Sequence, residues 1–514
     1  MNIEYSDLLS LTTLEGFTEE QQIDVIGTLF DLAFDKSSIN GIQHGFHLSK
    51  QIKTENLKPT NLTLLFYDLS NGWSYLRKIK FSQTSGDWKF QMTELVNEIF
   101  HLRKAITSPG FSQISPIRRC QIYTNLGNSF SYIGRFVEAQ EYWHMAIEIN
   151  PEFAMAIGNM ANGLYYYGSV LYDEIHKNIF AIFGYHYLVK TLKLQDQIHE
   201  DAKKGFQELH DRLKNYIAGN FPEVYIKGFP NLDYDLGKDL DLKNYRLWCL
   251  DKKLFINPLN DLGPFPTACH DCLNLPTLTL PSNRPPISLN LYNQIKQEFA
   301  TARYSFYVSQ FATRPHISDN DTPLVETMEM VSYSYYLEQL KIAFRLAYSI
   351  LDKIAYLLND YLELKIDNNK VSFRTLWYTT PQKNAPLRAF FENSQNWALR
   401  GLYWISKDLY EKDKEFDTVL EPDAKEVATI RNYIEHKGFK ISDSLSLPAG
   451  IFEEADISYT IQRDDFERKT MKLLKLTRSA IINVAVAIAH EEKDQLDSQA
   501  LPISTSKISK HRRV

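Results

Sequence analysis

The sequence is poor in the features that mark secreted proteins, membrane proteins and broadly basic nucleic-acid-binding proteins. Its 514 residues include only four cysteines, too few for a disulfide framework, so we expect free thiols in a reducing compartment. The formal net charge is −6, from 57 basic and 63 acidic residues, and any site for a polyanion must therefore be local. The longest apolar run, AIINVAVAIA, is about half as long as a membrane span and contains Asn483. The N-terminus has no basic segment followed by an apolar core, and we predict a cytoplasmic protein with no membrane partner.

The motifs of several familiar chemistries are also missing. The sequence contains no glycine-rich phosphate-binding loop and no nucleophile elbow, which disfavours an ATPase or a serine hydrolase. Cys269 and Cys272 have the Cys-x2-Cys spacing of zinc sites, but two further ligands at similar spacing do not follow. Cys249 and His270 would complete a metal site only if the fold brought them together. We therefore predict partly buried free thiols and no metal ion or other cofactor, although the spacing alone leaves a metal open.

Helical periodicity dominates the sequence, and signals for strands are scarce, so the predicted fold class is all-α. Prolines and turn residues accumulate in residues 215–287, which are too apolar and aromatic for a flexible linker. We expect this irregular connecting region to pack against a neighbour. It separates an N-terminal helical region, residues 1–214, from an up-and-down helical bundle, residues 288–495. A basic tail at residues 496–514 is predicted to be disordered.

An internal repeat organises the N-terminal region. The segment TNLGNSFSYIG at 124–134 aligns with GNMANGLYYYG at 158–168, and the matching positions are 34 residues apart. This spacing is the period of tetratricopeptide repeats. The first unit resembles that family at a set of aromatic, small and turn positions: Tyr123, Leu126, Gly127, Phe130, Gly134, Ala139, Trp143, Ala146 and Pro151. The small residues would let two antiparallel helices approach each other, with Trp143 in the gap between them.

The resemblance to tetratricopeptide repeats implies a groove that binds a peptide or protein. Four asparagines would lie on the first helices of adjacent repeats, which line the concave surface in this family: Asn125, Asn128, Asn159 and Asn162. Amide side chains there can hydrogen-bond the backbone of a bound peptide without demanding a particular sequence. The structural alternative is that the asparagines bond one another between repeats.

The candidate for chemistry is the segment ATIRNYIEHKGFK, in which four residues separate Arg431 from His436. An ordinary helix end could hold the same residues, with Arg431 paired to Glu435, a C-terminal histidine and a glycine stop. Here, however, the pair lies in the penultimate helix of a bundle, and the polar Asn432 directly follows the arginine. Together with the long helix that contains YSILDKIAYLLNDYL, this segment resembles the HEPN superfamily. Many members of that superfamily are metal-independent ribonucleases that act as dimers.

The resemblance assigns Arg431 and His436 to a catalytic site, with Asn432 beside them and Asp352 as a supporting carboxylate from the long helix. Residues five apart on a helix point about 140° apart, whereas Asn432 and His436 share a face. We therefore predict that Asn432 hydrogen-bonds the imidazole and fixes its direction. Asp352 would hold His436 or Arg431.

Two side chains of the long helix, Asp352 and Arg345, could instead have purely structural roles. Asp352 could equally belong to a surface network with Lys353 and Tyr356. Arg345 is a possible contact for the RNA backbone, but a salt bridge is the expected role.

The predicted function is metal-independent cleavage of RNA through its own 2′-hydroxyl group, which requires a base, an acid and cations for the phosphorane. Histidines from two protomers of a homodimer would serve as base and acid, and the arginines would hold the phosphate. Proteins of this build resemble prokaryotic toxins or antiviral defence effectors, in which the repeat array regulates the nuclease. The alternative is a non-enzymatic adaptor whose repeats and bundle only bind RNA or protein partners.

Overall fold

The computed structural model describes most of the chain, namely residues 4–82, 88–280, 285–326, 331–380, 382, 385–410, 424–442, 457–493, 501–503 and 512. Helices dominate the described residues, which confirms the predicted all-α class. The chain divides into two compact units. One comprises Met1–Ser169 and Asn178–Pro230, and the other comprises Val170–Lys177 and Asn231–Val514. The domain limits expected from the sequence stay a prediction.

The N-terminal part of the chain is a succession of helices joined by short connections. Thr18 begins the second helix with a reciprocal capping box to Gln21, and Pro59 and Pro116 stand at the first positions of two others. The helices are α1 (Tyr5–Ser10), α2 (Glu19–Asp35), α3 (Ile39–Ser49), α4 (Pro59–Phe81), α5 (Thr93–Thr107), α6 (Pro116–Tyr132), α7 (Phe136–Ile149), α8 (Ala154–Val170), α9 (Glu174–Leu192), α10 (Glu200–Asn220) and α11 (Val224–Lys227).

Trp143 of α7 packs against glycines of both α6 and α8, as the repeat pattern predicted for the α6–α7 pair. A Cβ atom built on Gly127 would stand 2.6 Å from Trp143 Nε1, and one on Gly163 would stand 2.1 Å from the Cζ3 atom of the same ring. The turn between α6 and α7 contains Gly134 at φ 86°, a conformation that glycine adopts readily. These contacts explain the small and aromatic positions of the sequence pattern, while membership of the tetratricopeptide family stays a prediction.

The second unit is built around a bundle of five long helices with short helices and strands between them. Its helices are α12 (Leu240–Asp251), α13 (Leu259–Leu262), α14 (Ile287–Gln310), α15 (Tyr335–Tyr361), α16 (Ala389–Asn393), α17 (Trp397–Tyr410), α18 (Ala424–His436) and α19 (Arg463–Glu492). Its strands are β1 (Leu278–Leu280), β2 (Gly438–Ser442), β3 (Ser458–Gln462) and β4 (Leu501–Ile503). Single 3₁₀ turns across the whole chain lie at Thr54–Asn56, Phe111–Gln113, Gln195–Gln197, Pro266–Ala268, Ile317–Asp319 and Asn368–Lys370.

Helix α19 is the central element of the bundle and packs against α14, α15 and α17. All residues from Thr477 to Ala489 are buried. By length and apolar composition α19 could cross a membrane, but 83% of its most apolar window is buried inside the protein. The core helix of a soluble protein has the same composition, so this helix is only weak evidence for a membrane span.

Two buried arginines of the bundle hold the irregular segment that precedes it. Arg478 of α19 is 2% exposed and donates hydrogen bonds to the Phe255 and Asn257 carbonyls and to the Asp261 carboxylate. Arg303 of α14 makes a bidentate pair with Asp271, with both N···O distances at 2.8 Å. The irregular segment therefore packs against a neighbour as expected, and that neighbour is the helical bundle of the second unit.

Two small sheets accompany the helices. Strands β2 and β3 pair in parallel from Gly438 opposite Ser458, and β1 pairs antiparallel with β4. Strand β4 lies within the tail that was predicted to be disordered, so Leu501–Ile503 are ordered there. Among the other residues of that tail only 512 is described. Strand signals were scarce in the sequence because each strand is only three to five residues long, and β1 and β4 pair across more than two hundred residues.

Candidate functional site

Helix α18 is fixed to the bundle by one apolar and one polar set of contacts. Val427 and Ile430 are buried, and Glu426 accepts hydrogen bonds from Tyr459 Oη at 2.6 Å and pairs with Lys469 Nζ at 2.9 Å. From the sequence we expected this helix to open at Pro422, a position that lies outside the described residues. The helix ends at His436, and the chain passes directly into β2. The Arg431–His436 segment is therefore held at both its bundle face and its C-terminal end.

Arg431 is the central cation of the site. Its side chain is half-buried, and its guanidinium carbon lies 5.9 Å from the centre of the Tyr348 ring on α15. In the described part of the chain, no carboxylate oxygen lies within 4 Å of this guanidinium, and its Nη1 donates a hydrogen bond to Asn432 Oδ1 at 3.2 Å. A guanidinium without a paired carboxylate is suited to bind an anion such as a phosphate.

Asn432 does not play the predicted role in this structure. Its amide oxygen accepts a hydrogen bond from Arg431, and among the described residues no side chain hydrogen-bonds the His436 imidazole. The guanidinium is a charged donor and competes for the amide oxygen better than a ring N–H does. The imidazole, which is exposed at the helix end, remains open to a ligand.

The Arg431–Glu435 pair expected of an ordinary helix end is also not formed. Glu435 instead binds Arg345 of α15 in two hydrogen bonds, Nε to Oε1 at 2.8 Å and Nη2 to Oε2 at 3.1 Å. This confirms a salt bridge for Arg345, because Glu435 faces α15. The hydrogen bond from Arg345 lowers the pKa of Glu435, against the opposing effect of partial burial, and the charges of Arg431 and His436 lower it further. Arg431 and His436 thus both lie close enough to Glu435 to act on it.

Asp352 of α15 lies close enough to Arg431 for the two charges to interact. Its Oδ1 accepts a hydrogen bond from the Phe373 amide at 2.9 Å. Burial raises the pKa of this carboxyl above its ordinary value, while the Phe373 amide and the Arg431 charge act in the opposite direction. The alternative surface network is wrong, since Tyr356 donates to the Asn368 carbonyl and Lys353 pairs with Glu298.

Two tyrosines complete the inner wall of the site and were missed in the sequence. Tyr348 and Tyr410 meet edge to face with ring centres 6.3 Å apart, and burial raises the pKa of both hydroxyls. Tyr348 stands four residues before Asp352, so helical spacing could have placed both on one face. Tyr410 ends α17 and gave no such signal, because the packing of α17 against α18 and α19 brings its ring to Tyr348.

The four asparagines of the predicted groove lie on α6 and α8 as expected, but they have different surroundings. Asn128 Oδ1 accepts a hydrogen bond from the Trp143 indole at 2.9 Å, and Asn125 Nδ2 donates to Asn71 Oδ1 at 3.4 Å. Asn159 and Asn162 are half-buried, and no protein partner of their side chains appears in the described part of the structure. The asparagines of α6 and α8 therefore do not bond one another, and those of α8 are open to a ligand.

The Cys-x2-Cys segment has a structural explanation in its aspartate. Asp271 is the partner of Arg303 and also accepts a hydrogen bond from the Ile256 amide at 2.7 Å. Cys269 is buried and Cys272 is exposed. Across the described ranges, no group of three or more histidine, cysteine or acidic side chains is arranged to hold a metal ion. Asp271 of this motif therefore anchors the irregular connecting segment to α14.

Comparison with known proteins places this site in a family. Residues 279–491 match the sequence model of the family described as LA2681-like HEPN. No curated protein and no solved structure matches the chain. The match includes α15, α17, α18 and α19, and with them Asp352, Arg431 and His436. The C-terminal part of this all-α chain is therefore a HEPN domain.

Proposed function

We propose that the chain is an endoribonuclease whose HEPN domain cleaves RNA by attack of the 2′-hydroxyl on the neighbouring phosphate, without a metal ion. The observation that carries this proposal is Arg431, a half-buried guanidinium with no carboxylate within 4 Å among the described residues, beside an exposed histidine. A phosphodiester would provide the missing negative charge, and the imidazole could transfer a proton to or from it.

Each group of the site has a separate task in this reaction. Arg431 would hold the phosphate and stabilise the additional charge of the phosphorane. His436 would accept the 2′-hydroxyl proton or donate one to the departing 5′-oxygen. Because one imidazole performs only one of these tasks at a time, a second His436 from a homodimer partner would perform the other. Asn432 would orient the guanidinium of Arg431, and not the imidazole of His436.

Asp352 and the two tyrosines support Arg431 from the interior of the domain. The Phe373 amide fixes the Asp352 carboxylate, and the edge of Tyr410 fixes Tyr348. Tyr348 presents its ring to the guanidinium, where a cation is attracted by the ring electrons. The ring contact would limit the rotamers of Arg431, whereas the more distant Asp352 carboxylate would act on it only through its charge.

The N-terminal helices would supply regulation in this proposal. Asn159 and Asn162 would bind the backbone of a peptide or protein, and the bound state would control access of RNA to the HEPN domain. We further propose that the protein acts in the cytoplasm in prokaryotic defence or toxin-type growth arrest.

The experiment that tests the proposal is incubation of the purified protein with total RNA and with a tRNA pool in the presence of a chelator. We expect products with 2′,3′-cyclic ends, and we expect His436→Ala to reduce their formation by several orders of magnitude with unchanged thermal unfolding. His199→Ala, at a side chain that is 75% exposed in the first unit, is the control and should cleave as the unaltered protein does.

The alternative function is a non-enzymatic adaptor in which the HEPN domain only binds its partner. The exposed salt bridge between Arg345 and Glu435 favours it, since a pair of this kind also stabilises a purely structural helix contact. An adaptor would bind RNA without cutting it, and His436→Ala would then cost at most about 1–2 kcal/mol of stability and leave binding intact.

A further inference from the structure

The salt bridge between Arg345 and Glu435 occupies a position that a polyanion would also need. Glu435 directly precedes His436, and its pKa responds to the charges of both Arg431 and His436. Its negative charge therefore lies close enough to interact with both side chains that would receive a phosphate. An RNA backbone approaching them would be repelled by Glu435 as long as the carboxylate stays in place.

The geometry of the Arg345–Glu435 pair resembles that of an arginine bound to a phosphate. Arg345 uses Nε and Nη2 for two parallel hydrogen bonds of 2.8 and 3.1 Å to the two oxygens of one carboxylate. Two oxygens of a phosphodiester have a spacing that fits the same fork. A phosphate can therefore replace the carboxylate on Arg345 without rearrangement of the guanidinium.

The pair is also accessible. The Arg345 side chain is 48% exposed and the Glu435 side chain 28% exposed. Exposed ion pairs are weak because water and salt screen them, so an incoming polyanion can open this one. Arg345 holds the pKa of Glu435 below its ordinary value, which means that protonation near neutral pH does not release the arginine. Only a competing anion does so.

We propose that Arg345 is a phosphate-binding residue of the HEPN site and that Glu435 occupies it until the RNA backbone displaces the carboxylate. This inference rests on the proposed function and deepens it, because it assigns a third cation beside Arg431 and His436 and a carboxylate that competes with the substrate. Anions too weakly charged to displace Glu435 would bind the site poorly, and a polyphosphate chain would be favoured.

The test is a binding experiment with an RNA oligonucleotide whose 2′-hydroxyls are methylated, so that cleavage cannot interfere. Affinity is measured over a range of salt concentrations for the full-length protein. Glu435→Gln should bind about threefold to tenfold more tightly than the unaltered protein, because it removes the competing charge. Arg345→Gln should bind more weakly, and the slope of log affinity against log salt should fall by about 0.7. The double variant should bind more tightly than Arg345→Gln, because the repulsion by Glu435 is also removed, but less tightly than Glu435→Gln, because it lacks the Arg345 cation.

A matched control comes from the same bundle. Glu298 pairs with Lys353 across α14 and α15 at 2.7 Å, and Glu298→Gln makes the same change of charge away from α18. It should leave RNA affinity unchanged, and thermal unfolding of every variant confirms that it is folded. Equal affinities of Glu435→Gln, Arg345→Gln and the unaltered protein would overturn the inference.

The same series separates this inference from the proposed function. If the unaltered protein binds the RNA and Arg431→Gln abolishes binding while Arg345→Gln has no effect, the RNA site stands and the role of Arg345 is refuted. If the folded, unaltered protein does not bind RNA at any salt concentration, the RNA assignment fails and this inference fails with it.

Discussion

At the scale of single residues, two helical glycines of the first unit have opposite surroundings. A Cβ atom on Gly127 would lie 2.6 Å from Trp143, whereas nothing stands within 4 Å of one on Gly205 of α10. Gly127→Ala should therefore destabilise the protein by about 1–3 kcal/mol, because the Trp143 ring must move. Gly205→Ala should stabilise it by about 0.5–1 kcal/mol through the lower flexibility of the unfolded chain. Urea unfolding of both variants measures the two effects, and a common sign would contradict the argument.

Asp68 of α4 couples the stability of the first unit to pH. Burial raises the pKa of its carboxyl to about 8, with Asp31 and Asp24 acting in the same direction and Arg118 against them. Because the unfolded carboxyl titrates near pH 4, the folded state binds an extra proton between these values. The stability that this proton provides is present at acid pH and is lost as the pH rises through about 8.

Asp68→Asn removes this dependence. At pH 9 we expect the variant to be more stable than the unaltered protein by about 2 kcal/mol, since a half-buried charge is gone. At pH 5 the two should unfold at nearly the same urea concentration. A stability difference that does not change between pH 5 and pH 9 would show that Asp68 titrates normally.

The catalytic candidates were accessible to sequence reasoning to different degrees. Arg431 and His436 lie within one short stretch of sequence, and the HEPN match covers both. The partner of Asn432 was predicted wrongly, and the alternative pairing of Glu435 with Arg431 is not formed, because helical spacing places residues on a face but does not say which neighbouring group competes for them. Tyr410 was not predictable, since its contact with Tyr348 depends on the packing of two helices that are distant in the sequence.

At the scale of elements, the buried Arg478 of α19 holds the irregular segment to the bundle. Arg478→Ala would leave Asp261, which is 5% exposed, without the arginine that pairs with it. We expect a loss of about 3–5 kcal/mol in the free energy of unfolding and faster proteolysis between α12 and α14. Arg463→Ala removes a partly exposed pair with Glu467 and a 3.3 Å hydrogen bond to the Ser309 carbonyl, and should cost only about 1–2 kcal/mol. Equal losses for the two variants would mean that the segment is not held by Arg478.

The helices could be predicted from the sequence far better than the strands. Long helices such as α15 can be predicted from an apolar stripe that runs over many turns, here from Leu340 to Leu358. Strands β1 and β4 are three residues long, and each is defined by a partner more than two hundred residues away. No local pattern encodes such a pairing. The role of the irregular segment as part of the bundle was likewise hidden, because it depends on arginines in α14 and α19.

At the scale of the whole molecule, the region that matches the HEPN family is shorter than the compact unit that contains it. The match begins at residue 279, whereas the unit continues from Asn231. A fragment that begins at 279 lacks Asp261 and Asp271, and the buried Arg478 and Arg303 would lose the carboxylates that pair with them. Uncompensated buried charges of this kind are strongly destabilising.

We therefore expect residues 231–514, which contain all of this unit except Val170–Lys177, to fold on their own and residues 279–514 to be unfolded or far less stable. Circular dichroism and urea unfolding of the two fragments, purified side by side, measure the difference. If the shorter fragment proved as stable as the longer one, the irregular segment would be an accessory to the HEPN domain and not part of its fold.

The parallel pairing of β2 with β3 restrains the backbone next to the exposed His436. A histidine in the last position of a helix ordinarily lies on a fraying end. Here the Lys437 amide bonds the Tyr433 carbonyl at 3.1 Å and the Gly438 amide bonds the Ile457 carbonyl at 2.8 Å, so the backbone is held on both sides of the helix terminus. Hydrogen exchange at these two amides should be as slow as in the interior of α18. Because β3 leads directly into α19, a shift of that central helix would move the His436 imidazole with it. The position of this exposed side chain would then depend on the core of the bundle.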